Sequence, residues 1–488
     1  NTSRLYLHNL DEYGTQPLVG TEGASQPFFS PDGNWIGFYA EGKLKKVSLS
    51  GGTPRTLCDG SAWGGWWSDD NHITFSNYGL MQIHSNGGTP KRITDAWDFG
   101  PAQEGWHHFP QVLPGNSEVL YTISHGLDNL RVAVVTLDTG KKQTIIKEGG
   151  YARYVSTGHL IYAWRGNLWA VRFDIKSLQT TGPSIPILEG ILMNSYSVPN
   201  YSLSDNGTLV YVPGDIQEMR RSLCWVDFEG NIEPLDIPPS KFYDGGLRLS
   251  PDGKLATVTQ EEKRANVWLY DVTRSGTGHP FTDDTGDEWW TVWTPDGKRV
   301  IFHSSRDGKS LNLYWKSVDG IGEIVRLTES ANDQSPYAIS SDGKMLFYME
   351  HNRLTSNKDI WVLPLEGDRT PRPLLQTPAQ EFGPTLSPDG RWLAYVSDET
   401  GRQEVYVRNY PDLGRVIKIS SEGGVSPMWS SAGDYLYFRQ GRKMMAVSFL
   451  PEPGIPKVLF EGDFVLGHRW GRRYDLSPDG KRFLMIRE

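Results

Sequence analysis

Hydrophobic and polar residues alternate in short runs along the whole chain, and the runs recur as a unit. Each unit has an apolar run, a turn such as Ser-Pro-Asp-Gly, and a second apolar run such as Trp35–Phe38. A loop and an alternating segment such as Asp359–Leu363 follow, and often a last short run such as Arg326–Thr328. Alternation with period two indicates half-buried strands, so the pattern predicts four short strands per unit.

The turn sets the register of the repeat. Proline restricts φ at the first corner and glycine accepts positive φ, so the flanking runs are predicted to form a hairpin. The copies lie 38 to 48 residues apart. Four strands in roughly 45 residues is typical of a blade of a β-propeller. Clear copies are centred on Asp32, Asp252, Asp296, Asp342, Asp389 and Asp479, and degenerate copies on Asp70, Gly115, Gly158, Asn206 and Ala432.

The spacing of the copies predicts an all-β chain with two consecutive β-propellers of about six four-stranded blades each. The N-terminal propeller is predicted over residues 1–216 and the C-terminal one over residues 217–488, because a loop-like stretch separates a finished inner pair from a fresh outer pair near residue 216. One large single propeller is the alternative.

Both ends of the chain look like half a blade. The last turn copy is followed by one apolar run, whereas the first residues resemble two outer strands without inner partners. We therefore expect the second propeller to close by pairing 222–235 with 470–487, which removes exposed edges. For the first propeller we expect a composite blade of residues 1–18 and 198–213.

Composition agrees with a turn-rich β protein: 12% of the residues are aromatic, and there are 53 Gly and 31 Pro. Lys plus Arg minus Asp plus Glu is 49 − 58 = −9 without a basic cluster, so nucleic acid is not an expected partner. The cysteines, Cys58 and Cys224, predict no disulfide or metal framework. No apolar run approaches the ~18 residues of a membrane helix, so we expect no membrane insertion by this chain.

Several stretches resemble the TolB-like β-propeller family: Phe28–Phe38, Asn312–Lys316 and Leu386–Glu399. The segments 42–57, 153–171 and 441–449 resemble more closely the propeller region C-terminal to many bacterial Ser/Thr protein kinases. The resemblance implies a sensor, docking or scaffold module in an extracytoplasmic or periplasmic location. No targeting signal is seen in the sequence.

The sequence lacks the motifs of several common enzyme classes. The kinase Gly-rich loop, catalytic loop and Asp-Phe-Gly motif are missing, as are the Gly-x-Ser-x-Gly elbow and the HExxH motif. We therefore expect a non-catalytic recognition or scaffold module that binds a protein, peptide or glycan at a channel mouth. One expected setting for it is the sensor region of a larger signalling protein. A structural subunit of an extracytoplasmic assembly is an alternative.

Candidate ligand-binding residues follow from position in the repeat. Six to eight residues before each turn mark, the chain is predicted to cross from one blade to the next near the mouth of the channel, where ligands bind. Aromatic, acidic and basic side chains there suit a peptide or a sugar, although packing between blades would also explain Trp63 and Trp290. The candidates, with near neighbours, are Trp63, Trp106, Asp244, Glu288, Trp289, Trp290, Gln334, Glu381, His468, Arg469, Arg472 and Arg473.

A catalytic alternative rests on the N-terminal half. His107 and His108 precede a predicted inner strand, and Tyr151 and Arg153 have a similar offset in the next blade. A His or Tyr acid/base pair with an arginine near a uronate carboxylate is what a propeller-type polysaccharide lyase requires. The structural alternative is that one histidine caps a loop and the other faces solvent.

Calcium is the one cofactor that the sequence suggests. Asp283, Asp284 and Asp287 lie close together, and carboxylate oxygens suit this ion. The spacing is not that of an EF-hand, so a solvated loop between blades is the alternative interpretation.

Overall fold

A computed structural model describes residues 3–487, apart from a set of short segments. Every element in the described part is a β-strand, so the all-β prediction is confirmed. No helix in this part is long and apolar enough to cross a membrane. The segments that are not described are 12–13, 61–62, 78, 95–104, 125–128, 195–197, 205–206, 215–220, 241–245, 262–263, 275, 284, 309, 353–354, 356, 450–451 and 466–471.

The chain divides into two compact units, Asn1–Glu218 and Met219–Glu488. The strands of the first unit are β1 Tyr6–His8, β2 Thr15–Pro17, β3 Ser25–Phe29, β4 Trp35–Ala40, β5 Lys43–Ser48, β6 Arg55–Asp59, β7 Gly65–Trp67, β8 His72–Ser76, β9 Leu80–His84, β10 Lys91–Arg92, β11 Trp106–Val112, β12 Glu118–Ser124, β13 Leu130–Thr136, β14 Lys142–Ile146, β15 Gly150–Val155, β16 His159–Trp164, β17 Asn167–Asp174, β18 Gln179–Leu188, β19 Tyr201–Leu203 and β20 Leu209–Tyr211. Strands β3 to β18 form four antiparallel sheets of four consecutive strands each.

The second unit repeats the same plan. Its strands are β21 Ser222–Asp227, β22 Ile232–Pro234, β23 Arg248–Leu249, β24 Leu255–Glu261, β25 Ala265–Asp271, β26 His279–Pro280, β27 Glu288–Trp293, β28 Arg299–Ser304, β29 Asn312–Ser317, β30 Val325–Arg326, β31 Asp333–Ile339, β32 Met345–His351, β33 Lys358–Pro364, β34 Arg372–Leu375, β35 Glu381–Leu386, β36 Trp392–Ser397, β37 Glu404–Asn409, β38 Val416–Lys418, β39 Val425–Trp429, β40 Tyr435–Gln440, β41 Lys443–Ser448, β42 Lys457–Glu461, β43 Tyr474–Leu476 and β44 Arg482–Arg487. Strands β23 to β42 form five consecutive four-stranded sheets.

The sixth sheet of the second unit joins the two ends of that unit, in the order β22-β21-β44-β43. Ser222 lies opposite Arg487, and Asp227 lies opposite Arg482, in one continuous antiparallel register. Strand β21 thereby gains a partner at the far end of the chain. The number of propellers and of blades in each stays a prediction.

The two hairpins at the ends of the first unit form separate two-stranded sheets, β1-β2 and β19-β20. The expected composite blade of residues 1–18 and 198–213 is therefore not formed as a sheet by the described residues. Each hairpin is instead held by side-chain packing, because Leu18 packs against the β3–β6 sheet and Tyr201 against the β11–β14 and β15–β18 sheets.

The recurring turn is held by its own side chains. In the copy at Asp389, the Ser387 hydroxyl donates to Asp389 Oδ1 at 2.6 Å and accepts the Trp392 N–H at 2.9 Å. The Arg391 N–H donates to the same carboxylate at 3.1 Å. Equivalent bonds recur at Asp252 and Asp479, so the motif closes the same hairpin in several sheets.

Apolar side chains from adjacent sheets pack face to face, which places the core between sheets. One such cluster joins Leu223 of β21, Leu249 of β23, Val258 of β24 and Leu484 of β44, all buried. Burial of apolar area between sheets is the main force that holds neighbouring sheets together.

Candidate functional site

The strands that precede the recurring turn, called inner strands here, contact one another in a cycle within the second unit. Contacts join β43 to β23, β23 to β27, β27 to β31, β31 to β35, and β35 to β39. The Thr291 hydroxyl of β27 donates to the Gly246 carbonyl at 2.8 Å. The cycle closes where the Tyr474 hydroxyl of β43 donates to the Ser426 carbonyl of β39 at 2.7 Å. Side chains distant in sequence therefore converge along these strands.

Most inner strands carry a β-bulge near their start. The register shifts between Trp289 and Thr291 in β27, and between Phe382 and Thr385 in β35. A bulge places an extra residue in the strand and redirects its side chain. Residues at these bulges adopt positive φ, among them Gln26, Phe109, Tyr151, Trp290, Gly383 and Ser426.

The bulges change the expected placement of the candidate residues. Glu288, Trp290, Gln334 and Glu381 were expected on segments that cross between blades, but they lie within β27, β31 and β35. The reason is that each inner strand keeps pairing with the second strand beyond its bulge, as Glu288 does with Ser304.

Glu288 is fully buried at the start of β27. Its Oε1 atom accepts hydrogen bonds from Ser304 Oγ at 2.8 Å and from Arg306 Nη2 at 3.0 Å, whereas Oε2 has no hydrogen-bond partner. Burial raises the pKa of Glu288 to about 8, because desolvation outweighs both hydrogen bonds. The side chain links strands of its own sheet.

Glu381 and Gln334 occupy the equivalent position in the next two sheets and are also buried. Thr377 donates a hydrogen bond to Glu381, and burial raises the pKa of Glu381 to about 7. Gln334 donates to Glu350 Oε2 at 2.8 Å and accepts from Thr328. Hydrogen bonds of Glu288, Glu381 and Gln334 therefore stabilise the starts of the inner strands.

Trp289 and Trp290 follow Glu288 and are partly exposed. The ring of Trp290 stacks with Tyr337 of the next inner strand at 6.3 Å between centroids, and both tryptophans meet the ring of His303 edge-on. Trp290 therefore presents an aromatic face where inner strands converge.

A group of arginines begins with Arg248, which interacts electrostatically with Tyr337. Arg472 forms an ion pair with Asp475 at 3.1 Å, and Arg473 is buried next to it. Arg248 Nη1 donates to the Arg472 carbonyl at 2.9 Å. Burial lowers the pKa of Arg248 to about 9, which leaves it charged at neutral pH.

Sequence reasoning missed Arg248 and also Arg439, a buried residue of β40. Arg248 lies four residues before its turn mark, closer than the six to eight residues that define the predicted candidates, and Arg439 lies on a second strand. The sequence feature that could have identified these two arginines is a basic residue inside an otherwise apolar run.

His107 and His108 are both buried in β11 of the first unit. His108 has two tryptophan rings as neighbours, with centroids 4.9 Å away for Trp63 and 6.2 Å away for Trp106. His107 Nδ1 is 2.7 Å from Thr94 Oγ1. Burial lowers the pKa of each histidine to about 3, so both are neutral at physiological pH.

Tyr151 and Arg153 lie on the adjacent inner strand, β15. Phe109 joins the two sites, since its ring packs edge-on against Tyr151 at 4.7 Å and follows His108 directly. Arg153 Nη1 donates to the Phe109 carbonyl at 3.3 Å, and burial raises the pKa of Tyr151. The four lyase candidates therefore share one region, held largely by packing and backbone contacts.

Four candidate residues, Asp244, His468, Arg469 and Asp284, lie outside the described residues. Of the remaining calcium candidates, Asp283 Oδ1 accepts from Thr285 Oγ1 at 2.6 Å, and Asp287 Oδ1 accepts from the Ala265 N–H at 3.3 Å. No group of three or more His, Cys, Asp or Glu side chains within the described ranges is arranged to hold a metal ion. The calcium site stays a prediction.

Comparisons with known proteins give partial sequence matches. A segment of 95 residues is 35% identical to the Tol-Pal system protein TolB of Alcanivorax borkumensis, covering 19% of this chain and 21% of TolB. Another of 211 residues is 26% identical to the uncharacterized protein Atu1656 of Agrobacterium fabrum, covering 39% of this chain and 68% of that protein. A segment of 106 residues is 32% identical to the uncharacterized peptidase YuxL of Bacillus subtilis, covering 20% of this chain and 16% of YuxL.

The chain thus spans about a fifth of the length of TolB and less of YuxL. No protein-family model matches the chain. The predicted resemblance to TolB-like repeats is confirmed, whereas the resemblance to kinase-associated propellers stays a prediction.

Matches among solved structures include a TolB candidate from Agrobacterium tumefaciens, with 20% identity and a TM-score of 0.44 over 55% of this chain and 98% of that one. TolB from Acinetobacter baumannii has 15% identity and a TM-score of 0.32 over 82% of this chain and 79% of that one. The tricorn protease has 11% identity and a TM-score of 0.36 over 99% of this chain and 58% of that one.

Proposed function

We propose that this chain, which is built of TolB-like β-propeller repeats, is a recognition or scaffold module whose second unit binds a protein, peptide or glycan where its inner strands converge. The observation that carries the proposal is the cycle of inner-strand contacts, which gathers side chains from six sheets. Ligand sites form preferentially where several elements present side chains to one place.

The chemistry at this place supports recognition of a polar partner. The partly exposed Trp290 ring, stacked on the buried Tyr337 ring, offers a flat apolar surface, and Arg472 offers hydrogen-bond donors with a positive charge. Aromatic and arginine side chains are the usual anchors of peptide and protein contacts. Glu288 and Glu381 serve this site by holding the inner strands in place rather than by touching the partner.

One relative supports a proposal for the location of the chain and for its place in an assembly. Similarity to a Tol-Pal system protein favours an extracytoplasmic module that works inside a larger assembly. A role as the sensor region of a signalling protein belongs to the same proposal and rests on the resemblance of the repeats.

Co-purification tests the site. The tagged full chain is expressed in the source organism as wild type, Trp290→Ala or Val458→Ala. Quantitative mass spectrometry then compares the partner proteins that each form retains. Val458 is half exposed on the outer strand β42 and serves as the control. We expect Trp290→Ala to reduce a specific partner at least about 10-fold, as truncation of a central aromatic anchor does, and Val458→Ala to leave it unchanged.

Thermal melting of each variant first establishes that it is folded. Equal recovery of every partner by folded Trp290→Ala would contradict binding at the inner strands. Loss of partners in Val458→Ala alone would instead support a structural subunit that assembles through its outer strands.

A further inference from the structure

Hydrogen-bond donors without acceptors gather at the inner strands of the second unit. Arg248 Nε, Arg472 Nε, and Arg439 Nε and Nη1 are buried and have no hydrogen-bond partner, and the same holds for the Tyr337 hydroxyl. Arg248 and Arg439 are only 4% and 3% exposed. Buried polar groups in native proteins nearly always have a partner, so donors in this number point to a missing acceptor.

The donors belong to one place. Tyr474 connects them, since its hydroxyl donates to the Ser426 carbonyl at 2.7 Å and Arg439 lies opposite Val425, the neighbour of Ser426. The Tyr474 side chain also interacts electrostatically with Arg248, Arg439 and Arg472. Arg248 also interacts with Tyr337 and donates to the Arg472 carbonyl at 2.9 Å. Residues from β23, β31, β40 and the segment before β43 therefore lie in one neighbourhood.

The charges of these residues do not balance. Asp475 pairs with Arg472 at 3.1 Å and also interacts with Arg248. Within the described residues, these interactions set one carboxylate against the guanidinium groups of Arg248 and Arg472, while Arg439 Nη2 donates to the neutral Gly441 carbonyl at 3.2 Å. Arginine keeps its proton in proteins even when buried, so a positive charge remains in a place that water reaches poorly. A buried charge is stable only with a counter-charge and hydrogen-bond acceptors.

We propose that this cluster of Arg248, Arg439, Arg472 and Tyr337 binds an oxyanion, either a carboxylate or a phosphate group. Guanidinium groups match the paired oxygens of both anions, and a phenol hydroxyl adds one more donor. The inference deepens the proposed function and rests on it for the identity of the ligand, since it makes the partner an anionic one. The Trp290 and Tyr337 rings would then contact the part of the partner that adjoins the anion.

Calorimetric titration of the full chain with sodium phosphate tests the cluster, at an ionic strength held constant with sodium chloride. The variant Arg439→Gln removes one charge and keeps much of the side-chain volume. Arg415→Gln is the matched control, because Arg415 is exposed and pairs with Glu452 at the surface. Hydrogen bonds between charged groups predict about 10- to 100-fold weaker binding by Arg439→Gln and unchanged binding by Arg415→Gln.

A second arm identifies the source of the anion. A short peptide with a free C-terminal carboxylate is compared with the same peptide carrying a C-terminal amide. Binding of the free acid but not of the amide supports a peptide carboxylate, and binding of phosphate alone supports a phosphorylated ligand. Failure of phosphate and of both peptides to bind wild type overturns the proposal, and so does equal phosphate affinity in folded Arg439→Gln.

If Arg439→Gln does not fold, Tyr337→Phe replaces it, since this change removes one hydroxyl from a ring that keeps its packing. Weaker phosphate binding supports the proposal, and unchanged binding removes Tyr337 from the site and overturns the cluster as stated. Phosphate binding is measured on the isolated chain. It can therefore succeed where the Trp290→Ala co-purification fails, or fail where that experiment succeeds.

Discussion

At the scale of single residues, buried carboxyl groups decide how the inner strands respond to pH. Glu288 and Glu381 begin equivalent strands and are almost without solvent contact. Burial raises the pKa of Glu381 to about 7 from an ordinary value of 4.5, since desolvation disfavours the charged form. The hydrogen bond from Thr377 opposes this shift but does not cancel it.

The variant Glu381→Gln tests this balance. A carboxyl group with a raised folded-state pKa contributes stability that is complete below about 4.5 and is lost as pH rises through about 7. The free energy of unfolding of wild type should therefore fall between pH 4.5 and 7 more steeply than that of Glu381→Gln. Urea denaturation across this range measures the difference, with exposed Glu329→Gln as control. Parallel pH profiles of wild type and Glu381→Gln would contradict the raised pKa.

At the scale of elements, the recurring turn determines where the first hairpin of each sheet closes. The serine before the turn is bonded to both the aspartate and the start of the second strand, as Ser387 is to Asp389 and Trp392. Because Ser387 is buried, removal of its hydroxyl leaves the Trp392 N–H without that acceptor.

We expect Ser387→Ala to lower the free energy of unfolding by about 1–2 kcal/mol, the usual cost of a buried donor left unpaired. Exposed Ser421→Ala should stay within about 0.5 kcal/mol of wild type. Urea denaturation followed by tryptophan fluorescence measures both variants. A stable Ser387→Ala protein would show that proline and glycine alone close the hairpin.

At the scale of the whole molecule, the second unit depends on a pairing between residues more than 250 positions apart. Strand β44 pairs with β21 along its whole length, and Leu484 is fully buried against the next sheet. No local interaction can replace this contact, because β21 precedes every other strand of its unit.

Leu484→Ala tests the closure. Loss of a fully buried leucine side chain is expected to cost about 2–5 kcal/mol. Amide hydrogen exchange should then accelerate together in Ser222–Asp227 and Arg482–Arg487, because each strand protects the other. Ile321→Ala, at a position that is 77% exposed, should change neither segment. Faster exchange in only one of the two strands would show that closure is not cooperative.

Sequence alone determined the strands and the recurring hairpin turns. It also predicted that the outer strands of 222–235 pair with the inner strands of 470–487. The strands and turns are local: period-two alternation reflects the pleat of a strand, and the turn residues reflect steric limits on φ. The same reasoning selected Trp290, Glu381 and Arg472 as candidates by their distance from the turn, but it placed Trp290 and Glu381 on connecting segments rather than in strands.

Tertiary structure alone decided the burial and the neighbours of these side chains. A bulge places Trp290 on a strand with positive φ, and pairing beyond the bulge buries Glu288 and Glu381 inside their sheets. Arg248 and Arg439 meet at Tyr474 only because strands from opposite ends of the second unit come together in a cycle. Local periodicity carries no information about such meetings, since they depend on how the sheets close around one another.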